Sequence, residues 1–273
     1  MKRKENSASF VIVERDRALI NKALGGYLRG IKGPRILKRA MGYSVLTGGK
    51  RLRPLILVES ARALKGDIKR ALPFACAIEF IHNFSLVHDD LPAMDNDNLR
   101  RGKPTCHKKF GENIAILAGD ALLNLAFGIL AGLKLERARK AAALISGAIG
   151  ACGMIGGQAL DLKRGRKLSS RKIDSMKTAA LMSVSSEVGA LAAGARSEDA
   201  KRMREFGKNL GLAFQIADDI EDREADRRSL RKMRKEAMSF ISRGKKCIEP
   251  LDEKADALRY IADSVSEKAG RDF

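Results

Sequence analysis

The chain has 273 residues, of which 45% are hydrophobic, so it can bury a sizeable core as one large domain or two ordinary ones. Its net charge of +20 is high enough to suggest a protein that binds nucleic acid. However, the Lys and Arg residues are spread along the chain without interleaved aromatics or a nucleic-acid motif, so we interpret them as solvated helix faces and predict no nucleic-acid partner. Four widely spaced cysteines without a CxxC pair argue against a disulfide framework and indicate a reducing, cytoplasmic location.

Helix signals follow one another along the whole chain. Trp is absent and aromatic residues make up only 5%, a composition that favours helices over sheets. Glycines and prolines divide the chain into predicted helices at residues 10–30, 36–47, 53–64, 73–90, 111–132, 135–161, 171–194, 198–223, 226–243 and 250–270. A polar loop covers residues 92–104, and neither strand-like alternation nor a linker is visible. We therefore predict an all-α, single-domain helical bundle over residues 1–273.

One segment is apolar enough to raise the question of a membrane. Residues 141–160 contain no charged side chain, and about 20 apolar residues suffice to cross a bilayer. Glycines recur at every third position from Gly147 to Gly156, and small residues on one face allow another helix to approach closely. We predict a buried core helix and no transmembrane segment. The charged start, Met1 to Glu5, leads into no apolar stretch, so we expect no secretion signal.

Two charged clusters lie in the first half of the chain. Gly48-Gly49-Lys50-Arg51-Leu52-Arg53-Pro54 places basic side chains beside a helix N-terminus, a position favourable for anions. Four aspartates, at positions 89, 90, 95 and 97, then follow an apolar helix, and two arginines, Arg100 and Arg101, come next. Carboxylates this close repel one another unless a cation lies among them, and oxygen-only ligands suit Mg²⁺. The arginines are then suited to clamp phosphates on that ion.

A second acidic cluster lies far downstream, at Asp218-Asp219-Ile220-Glu221-Asp222. Gln215, Asp218 and Asp222 are spaced i, i+3 and i+7, so they share one helical face. Apolar neighbours indicate that this face lines a cavity. Two acidic clusters on separate helices can face each other across a bundle and hold several Mg²⁺ ions.

These three motifs, in this order, resemble those of the trans-polyprenyl diphosphate synthases, the farnesyl and geranylgeranyl diphosphate synthases among them. Residues 48–54 resemble the family's basic motif, Asp89–Asp95 its first aspartate-rich motif in the longer DDxxxxD form, and Asp218–Asp222 its second. Family segments are also matched at residues 118–123, 157–162 and 177–178, and the likeness runs from about Ala40 to Asp222. The resemblance implies the isoprenoid synthase-like bundle with a central cavity, and typically a homodimer.

The resemblance also implies a reaction and a role for each matched residue. The enzyme would be a Mg²⁺-dependent short-chain prenyltransferase that joins isopentenyl diphosphate to an allylic diphosphate, with three ions present when substrate is bound. The metal ligands would be Asp89, Asp90, Asp95, Asp218 and Asp222. The diphosphate contacts would be Arg100 on the allylic substrate and Lys50, Arg53, His82 and Arg101 on isopentenyl diphosphate. The residues around the developing carbocation would be Lys177, Thr178 and Gln215.

Product length is predicted from the helix that ends at Asp89. Phe84 and Ser85 lie five and four residues before Asp89, which puts Phe84 about 7.5 Å below the aspartates at the helical rise of 1.5 Å per residue. A ring at that depth is expected to stop the growing tail early. By resemblance it favours a fifteen-carbon product over a twenty-carbon one, while a purely structural role for Phe84 in the core is the alternative.

The chain departs from the family after Asp222. A Gly-Lys-rich loop with a further diphosphate-binding lysine is replaced by Arg223-Glu224-Ala225-Asp226-Arg227-Arg228, and Arg227, Arg228 or Lys232 are candidates to substitute for that lysine. This difference keeps a regulatory, catalytically weak homologue open as an alternative function. A terpene cyclase is the other alternative, although it has no need of Lys50 and Arg53.

Overall fold

The computed structural model describes residues 8–134, 136–164, 171–222 and 227–270, without the side chains of residues 164, 171, 172, 222 and 227. Within these residues the protein is helical almost throughout, which confirms the predicted all-α class. The first part of the chain forms four helices: α1 (Ala8–Gly30), α2 (Arg35–Leu46), α3 (Leu52–Ala63) and α4 (Ile68–Asp89).

A short hairpin separates these four helices from the rest. Its strands are β1 (Leu99–Arg100) and β2 (Lys103–Pro104), which pair antiparallel. The following helices are α5 (Cys106–Phe110), α6 (Glu112–Gly132), α7 (Glu136–Ile149) and α8 (Met154–Arg164). The last part comprises α9 (Arg171–Asp174), a π-helical segment (Ser175–Ala179), α10 (Ala180–Ala193), α11 (Ser197–Asp222), α12 (Arg227–Cys247), a 3-10 segment (Glu249–Ala255) and α13 (Asp256–Gly270).

Helices α3 and α4 form the centre of the bundle. Nearly all residues of α3 from Pro54 onward are buried, and so are most residues of α4 from Phe74 to Phe84, so both helices are apolar around most of their circumference. Helix α4 packs against α3, α6 and α10, while α11 packs against α10, α12 and α13. The two helices that carry the acidic motifs, α4 and α11, therefore belong to one packed body.

The start of α4 differs from the prediction. The helix begins at Ile68 and not at Pro73, because the Asp67 side chain accepts a hydrogen bond from the Lys69 backbone N–H at 2.9 Å and caps an earlier first turn. Pro73 consequently lies inside the helix, where its missing N–H removes one backbone hydrogen bond. The capping aspartate, and not the proline, sets this boundary.

The apolar stretch around residues 141–160 also differs from the prediction. It is not one buried helix but two helices, α7 and α8, separated by a turn at residues 150–153. A side chain at Gly153 would bring its Cβ within 2.0 Å of the Ala148 carbonyl oxygen, so the turn requires glycine there. The glycine repeat thus provides a sharp change of direction, and Ile155 and Leu160 of α8 remain substantially exposed.

Two stretches of the described chain are long and apolar enough to cross a membrane, Glu112–Gly132 with mean hydropathy 2.0 and Glu136–Lys163 with mean hydropathy 1.5. Core helices of globular proteins meet the same criteria of length and composition. The first stretch packs along α4 through Ala118, Leu122 and Ala126, and the turn after α7 interrupts the second. Neither is a clear transmembrane span.

Candidate active site

Two adjoining cavities lie beside the acidic motifs. The first, which we call the apolar cavity, has a volume of about 500 Å³ and lies between α4, α6, α8 and the π-helical segment. Its lining includes Phe84, Ser85, His88, Asp89, Met94, Asp120, Met154, Ile155, Gln158, Lys177 and Thr178. An apolar lining that also carries charged side chains such as Asp89 and Lys177 suits a hydrocarbon tail attached to an anionic head.

The second, which we call the basic cavity, has a volume of about 560 Å³. Its cationic lining consists of Arg17, Lys50, Arg51, Arg53, Arg101 and Lys268, and Glu79, His82, Phe214 and Asp218 are also present. Arg53 and His82 line both cavities. The two cavities therefore share a wall, and that wall is formed by two of the residues predicted to bind diphosphate.

Arg51 differs from the other basic residues of its motif because its guanidinium, although part of the wall of the basic cavity, is held in a buried ion pair. It is 3% exposed, adopts a left-handed backbone conformation with φ 51°, and donates to Glu79 Oε1 at 2.7 Å and to Asn21 Oδ1 at 2.8 Å. This buried pair fixes the turn that leads into α3. Lys50 and Arg53, on either side, are thereby directed to the basic cavity.

We expect Arg51→Met to lower the free energy of unfolding by about 3–5 kcal/mol, because it leaves the Glu79 carboxylate buried without its counter-ion. Urea denaturation followed by circular dichroism measures the change. The double variant Arg51→Met/Glu79→Met removes both charges and is the control. Replacing both members of a buried ion pair by apolar groups costs far less stability than removing one member and leaving the other charge buried. Equal losses in the single and double variants would contradict this account of Arg51.

Arg53 and His82 form a contact at the shared wall. Arg53 Nη1 lies 3.2 Å from His82 Nε2, and because a guanidinium can only donate, His82 Nε2 accepts. Burial, reinforced by the charge of Arg53, holds the pKa of His82 well below its ordinary value. Burial also lowers the pKa of Arg53. The histidine is therefore neutral, with one ring N–H left to donate to an anion.

The first acidic motif places its three aspartates differently. Asp89 lines the apolar cavity, and burial raises its pKa to about 6, with Lys177 lowering it and Asp95 raising it further. The Asp95 backbone N–H donates to the Asp89 carbonyl oxygen at 2.8 Å, so the two residues are held close together. Asp90 is buried and paired with Arg100, whose Nε donates to Asp90 Oδ1 at 2.7 Å, and its predicted metal contact stays a prediction.

The two arginines of the hairpin have different partners. Arg100 pairs with Asp90 and also with Asp97, at 3.1 Å from Oδ2, so it is held by carboxylates on both sides. Arg101 adopts a left-handed backbone conformation, φ 55°, and its guanidinium donates to the Gly48 carbonyl oxygen. Arg101 thus reaches the basic cavity, while Arg100 remains beside the first acidic motif.

The second acidic motif lies at the basic cavity. Asp218 lines it, and burial raises the pKa of this carboxyl, opposed mainly by the Lys268 ammonium. Lys268 donates to Asp218 and lies 2.9 Å from Glu221 Oε2. Asp222 ends α11, and its side chain lies outside the described residues, so its predicted metal contact stays a prediction.

The three residues predicted at the carbocation come together around the π-helical segment. Lys177 and Thr178 are consecutive and both line the apolar cavity, and π-helical turns of this kind often occur at functional sites. Thr178 Oγ1 donates to Gln215 Oε1 at 2.6 Å, and Gln215 Nε2 donates to Asp219 Oδ1 at 3.1 Å. With its proton already donated, the Thr178 hydroxyl offers lone pairs to a nearby cation.

Gln158 and Asp161 have no role predicted from the sequence, although both lie in a segment matched to the family. Gln158 lines the apolar cavity, is 8% exposed, and has no hydrogen-bond partner among the described residues for either amide atom. Asp161 Oδ2 accepts from Lys177 Nζ at 2.8 Å and so orients that lysine. An unpartnered buried amide costs about 1–3 kcal/mol, so the Gln158 amide is available to a polar group that enters the cavity.

The residues of the two acidic motifs fit Mg²⁺. No group of three or more His, Cys, Asp or Glu side chains among the described residues converges as a closed metal cage. Mg²⁺ does not require one, because it typically takes one or two carboxylates and completes its octahedron with water and substrate phosphates. Asp89, electrostatically coupled to Asp95, and Asp218, already in contact with a cation, provide such ligands.

Comparison with known proteins agrees with this geometry. A model of the polyprenyl synthetase family matches residues 34–248, most of the chain. The chain therefore belongs to the polyprenyl synthetase family, a family of prenyltransferases, and the resemblance drawn from the motifs is confirmed.

Individual relatives show the same likeness. A farnesyl diphosphate synthase from Geobacillus stearothermophilus is 47% identical over 212 residues, which cover 74% of this chain and 71% of the relative. The large subunit 1 of the heterodimeric geranylgeranyl pyrophosphate synthase of Arabidopsis thaliana chloroplasts is 41% identical over 227 residues, covering 78% and 60%. The crystal structure of an FPP/GFPP synthase from Zymomonas mobilis superposes with a TM-score of 0.87 at 35% identity, covering 94% of this chain and 98% of that one.

Proposed function

We propose that this protein is a Mg²⁺-dependent enzyme that condenses isopentenyl diphosphate with an allylic diphosphate to give a longer prenyl diphosphate. The observation that carries the proposal is the shared wall of the two cavities. Arg53 and His82 form it, Asp89 lies in one cavity and Asp218 in the other. Two anionic substrates can thus be bound side by side, each near a carboxylate that is suited to a divalent ion.

The basic cavity is the site we assign to isopentenyl diphosphate. Lys50, Arg53 and Arg101 supply positive charge, and neutral His82 supplies a ring N–H. The allylic diphosphate is assigned to the mouth of the apolar cavity, between Asp89, Arg100 and Lys177. Its tail then extends past Ser85 towards Phe84. Asp89 and Asp95 would hold Mg²⁺ on one side, and Asp218 with Asp222 on the other.

The chain's residues then direct an ionisation followed by an addition. The allylic carbon–oxygen bond breaks, and its electron pair leaves with the diphosphate. Bound Mg²⁺ would supply stabilisation of the negative charge that develops there. Lys177 adds positive charge at the same end of the cavity, while the Thr178 lone pairs and the Gln215 amide dipole face the cationic carbon. The isopentenyl double bond attacks that carbon, and the proton lost is accepted by the departing diphosphate.

Among product lengths we propose fifteen carbons. Phe84 is 8% exposed, lines the apolar cavity, and stacks edge to face on His88 with ring centroids 5.0 Å apart. His88 is itself held by the Ile116 carbonyl oxygen at 3.0 Å, directly over Gly119 of α6. Two rings supported in this way form a firm floor to the cavity. The farnesyl diphosphate synthases among the relatives are consistent with that length.

The experiment that tests the proposal is incubation of the purified protein with labelled isopentenyl diphosphate, Mg²⁺ and, separately, dimethylallyl, geranyl or farnesyl diphosphate. We expect linear prenyl diphosphates, with fifteen carbons as the main product by chromatography, and no turnover in the presence of EDTA. Cyclic hydrocarbons would point to a terpene cyclase. An absence of turnover that is restored by a partner synthase would point to a regulatory homologue.

We further infer that the protein is a cytoplasmic homodimer. Helix α6 is mostly apolar, yet Ile116 and Leu117 are 44% and 53% exposed, so the described residues leave part of this helix uncovered. A second copy packed on the same face would bury it. The free thiols of the four cysteines are consistent with a reducing compartment.

We expect Leu117→Glu to convert the dimer to a monomer, because it places a charge at the centre of the paired faces. Size-exclusion chromatography with light scattering measures the molar mass. Met238→Lys is the matched control, since Met238 is 48% exposed on α12 and its substitution should leave the mass unchanged. A monomeric wild-type protein, or a dimer that survives Leu117→Glu, would contradict the α6 interface.

A further inference from the structure

Lys268, near the end of α13, reaches back into the second acidic motif. Its ammonium donates to Asp218 Oδ1, lies 2.9 Å from Glu221 Oε2 and stands 5.1 Å from the centroid of the Phe214 ring. The residue is only 8% exposed and lines the basic cavity together with Lys50 and Arg53. Lys268 is therefore a buried counter-ion for two carboxylates of the second acidic motif.

The position of Lys268 is fixed by its neighbours. Val265 and Ala269 are 3% and 1% exposed, so the last turns of α13 are packed into the protein. Ala269 belongs to a small apolar cluster with Ala217 and Ile220, which flank Asp218 on α11. The packed helix α13 therefore holds the Lys268 ammonium in a fixed position beside Asp218.

The candidates considered from the sequence for the missing family lysine occupy other places. Arg228 and Lys232 lie on exposed positions of α12, and neither lines the two cavities. The Arg227 side chain lies outside the described residues. Lys268 of α13, in contrast, contacts two carboxylates of the second acidic motif, Asp218 and Glu221.

A carboxylate oxygen that accepts from an ammonium is not free to bind a divalent ion in the same direction. Both cations are attracted to the same carboxylate, and the buried position of Lys268 strengthens its interaction with Asp218 relative to a surface pair. A divalent ion that approaches either oxygen of Asp218 is repelled by the ammonium already bound at Oδ1, so binding of the two cations is opposed. Such opposition is a coupling free energy, and it can be measured as a change in metal affinity.

We propose that Lys268 is a positioning residue that occupies Asp218 and Glu221 before the divalent ion arrives, and that the ion enters the second motif only by displacing it. This inference rests on the proposed function, because it takes the second acidic motif to be a metal site. In the metal-free protein Lys268 neutralises the two carboxylates and holds the end of α13 against α11. Metal binding then exchanges one cation for another and releases the lysine into the basic cavity.

The test is a calorimetric titration of the full-length protein with Mn²⁺ in the absence of any prenyl diphosphate. We expect Lys268→Met to bind one ion about fivefold more tightly than the wild type, because its competitor is gone. Lys268→Arg keeps the competitor and should stay close to the wild type. Lys245→Met removes a different ion pair of α13, between Lys245 of α12 and Asp263, and should leave Mn²⁺ affinity unchanged.

The Asp218→Asn background separates competition from indirect effects. There the effect of Lys268→Met on Mn²⁺ affinity should be much smaller, because Glu221 is then the one carboxylate of the pair that remains. Equal affinity of wild type and Lys268→Met, or the same gain in the Asp218→Asn background, would overturn the proposal. The titration needs no substrate. A lack of condensation activity would therefore overturn the proposed function, and the effect of Lys268 on Mn²⁺ affinity could still be measured.

Thermal melting is a second measurement, and it stays informative when the substitution lowers the stability of the protein. Metal-free Lys268→Met should melt below the wild type, since Asp218 and Glu221 are left without their cation, and saturating Mn²⁺ should remove the difference. A deficit that Mn²⁺ leaves unchanged would show that Lys268 only anchors α13, and would overturn the proposal. Lys268→Gln, which keeps a donor without the charge, repeats the measurement if the Met variant does not fold.

Discussion

Asp89→Asn is expected to lower kcat/KM for condensation by about 10³-fold, comparable to removing one preorganised group that stabilises developing charge in a transition state. Asp89 lies in the apolar cavity where the allylic diphosphate is assigned, and Asp95 is held beside it by a 2.8 Å backbone hydrogen bond. Replacing one carboxylate oxygen by an amide nitrogen removes a ligand that Mg²⁺ requires. The loss should therefore appear in the ionisation step and not in folding.

The thermal stability of Asp89→Asn shows whether a loss of activity results from misfolding. Burial raises the pKa of Asp89 to about 6, so its ionised form is disfavoured in the folded protein, and a neutral amide of the same shape relieves that cost. We expect a melting temperature equal to or above that of the wild type. Steady-state kinetics at saturating Mg²⁺ measure the activity, and Asp263→Asn, remote from both cavities, is the control. Activity within threefold of the wild type would show that Asp89 is not a ligand of the metal.

Phe84→Ala is expected to shift the main product from fifteen carbons to twenty or more. The phenylalanine ring lines the apolar cavity and stacks on His88, so its removal opens space directly below the point where the tail enters. Each added isoprene unit needs such space to avoid a clash with the floor. The measurement is chromatography of dephosphorylated products after incubation with dimethylallyl diphosphate and excess isopentenyl diphosphate.

Two companion variants make the product-length result specific. Phe80→Leu removes a fully buried ring of the same helix that packs against Tyr27 and does not line the cavity, and it should leave the product unchanged. Ser85→Phe adds a ring to the cavity wall and should shorten the product. If Phe84→Ala gave the wild-type distribution, Phe84 would be a core residue without influence on chain length.

The basic motif shows how packing sorts residues that look alike in sequence. Lys50, Arg51 and Arg53 are similar in charge and lie within four residues of one another, and only the family resemblance, which implies a diphosphate contact for Lys50 and Arg53, separates them in the sequence. In the folded protein the Arg51 guanidinium is paired with buried Glu79, which would otherwise lack a counter-ion, although both residues line the basic cavity together with Lys50 and Arg53. The distinction depends on a carboxylate of another helix, which no local pattern identifies.

The first acidic motif shows the same limit. The spacing of Asp89, Asp90 and Asp95 predicts a common site, since all three follow one helix end. The fold instead ties Asp90 to Arg100 of the hairpin and leaves Asp89 in the apolar cavity with Asp95 close by. Which of two adjacent carboxylates faces the cavity depends on the arginine that reaches the other.

What the sequence determined by itself is the helical class and the family, because helix signals and short sequence motifs act within a few turns of chain, while the metal-binding role of the two acidic motifs stays a prediction. Only the tertiary structure decided which groups share a cavity. The pairing of Arg51 with Glu79, the hydrogen bond from Thr178 to Gln215 and the docking of Lys268 on Asp218 join elements that are distant in the chain. Such contacts arise from the packing of whole helices, so no local pattern could have predicted them.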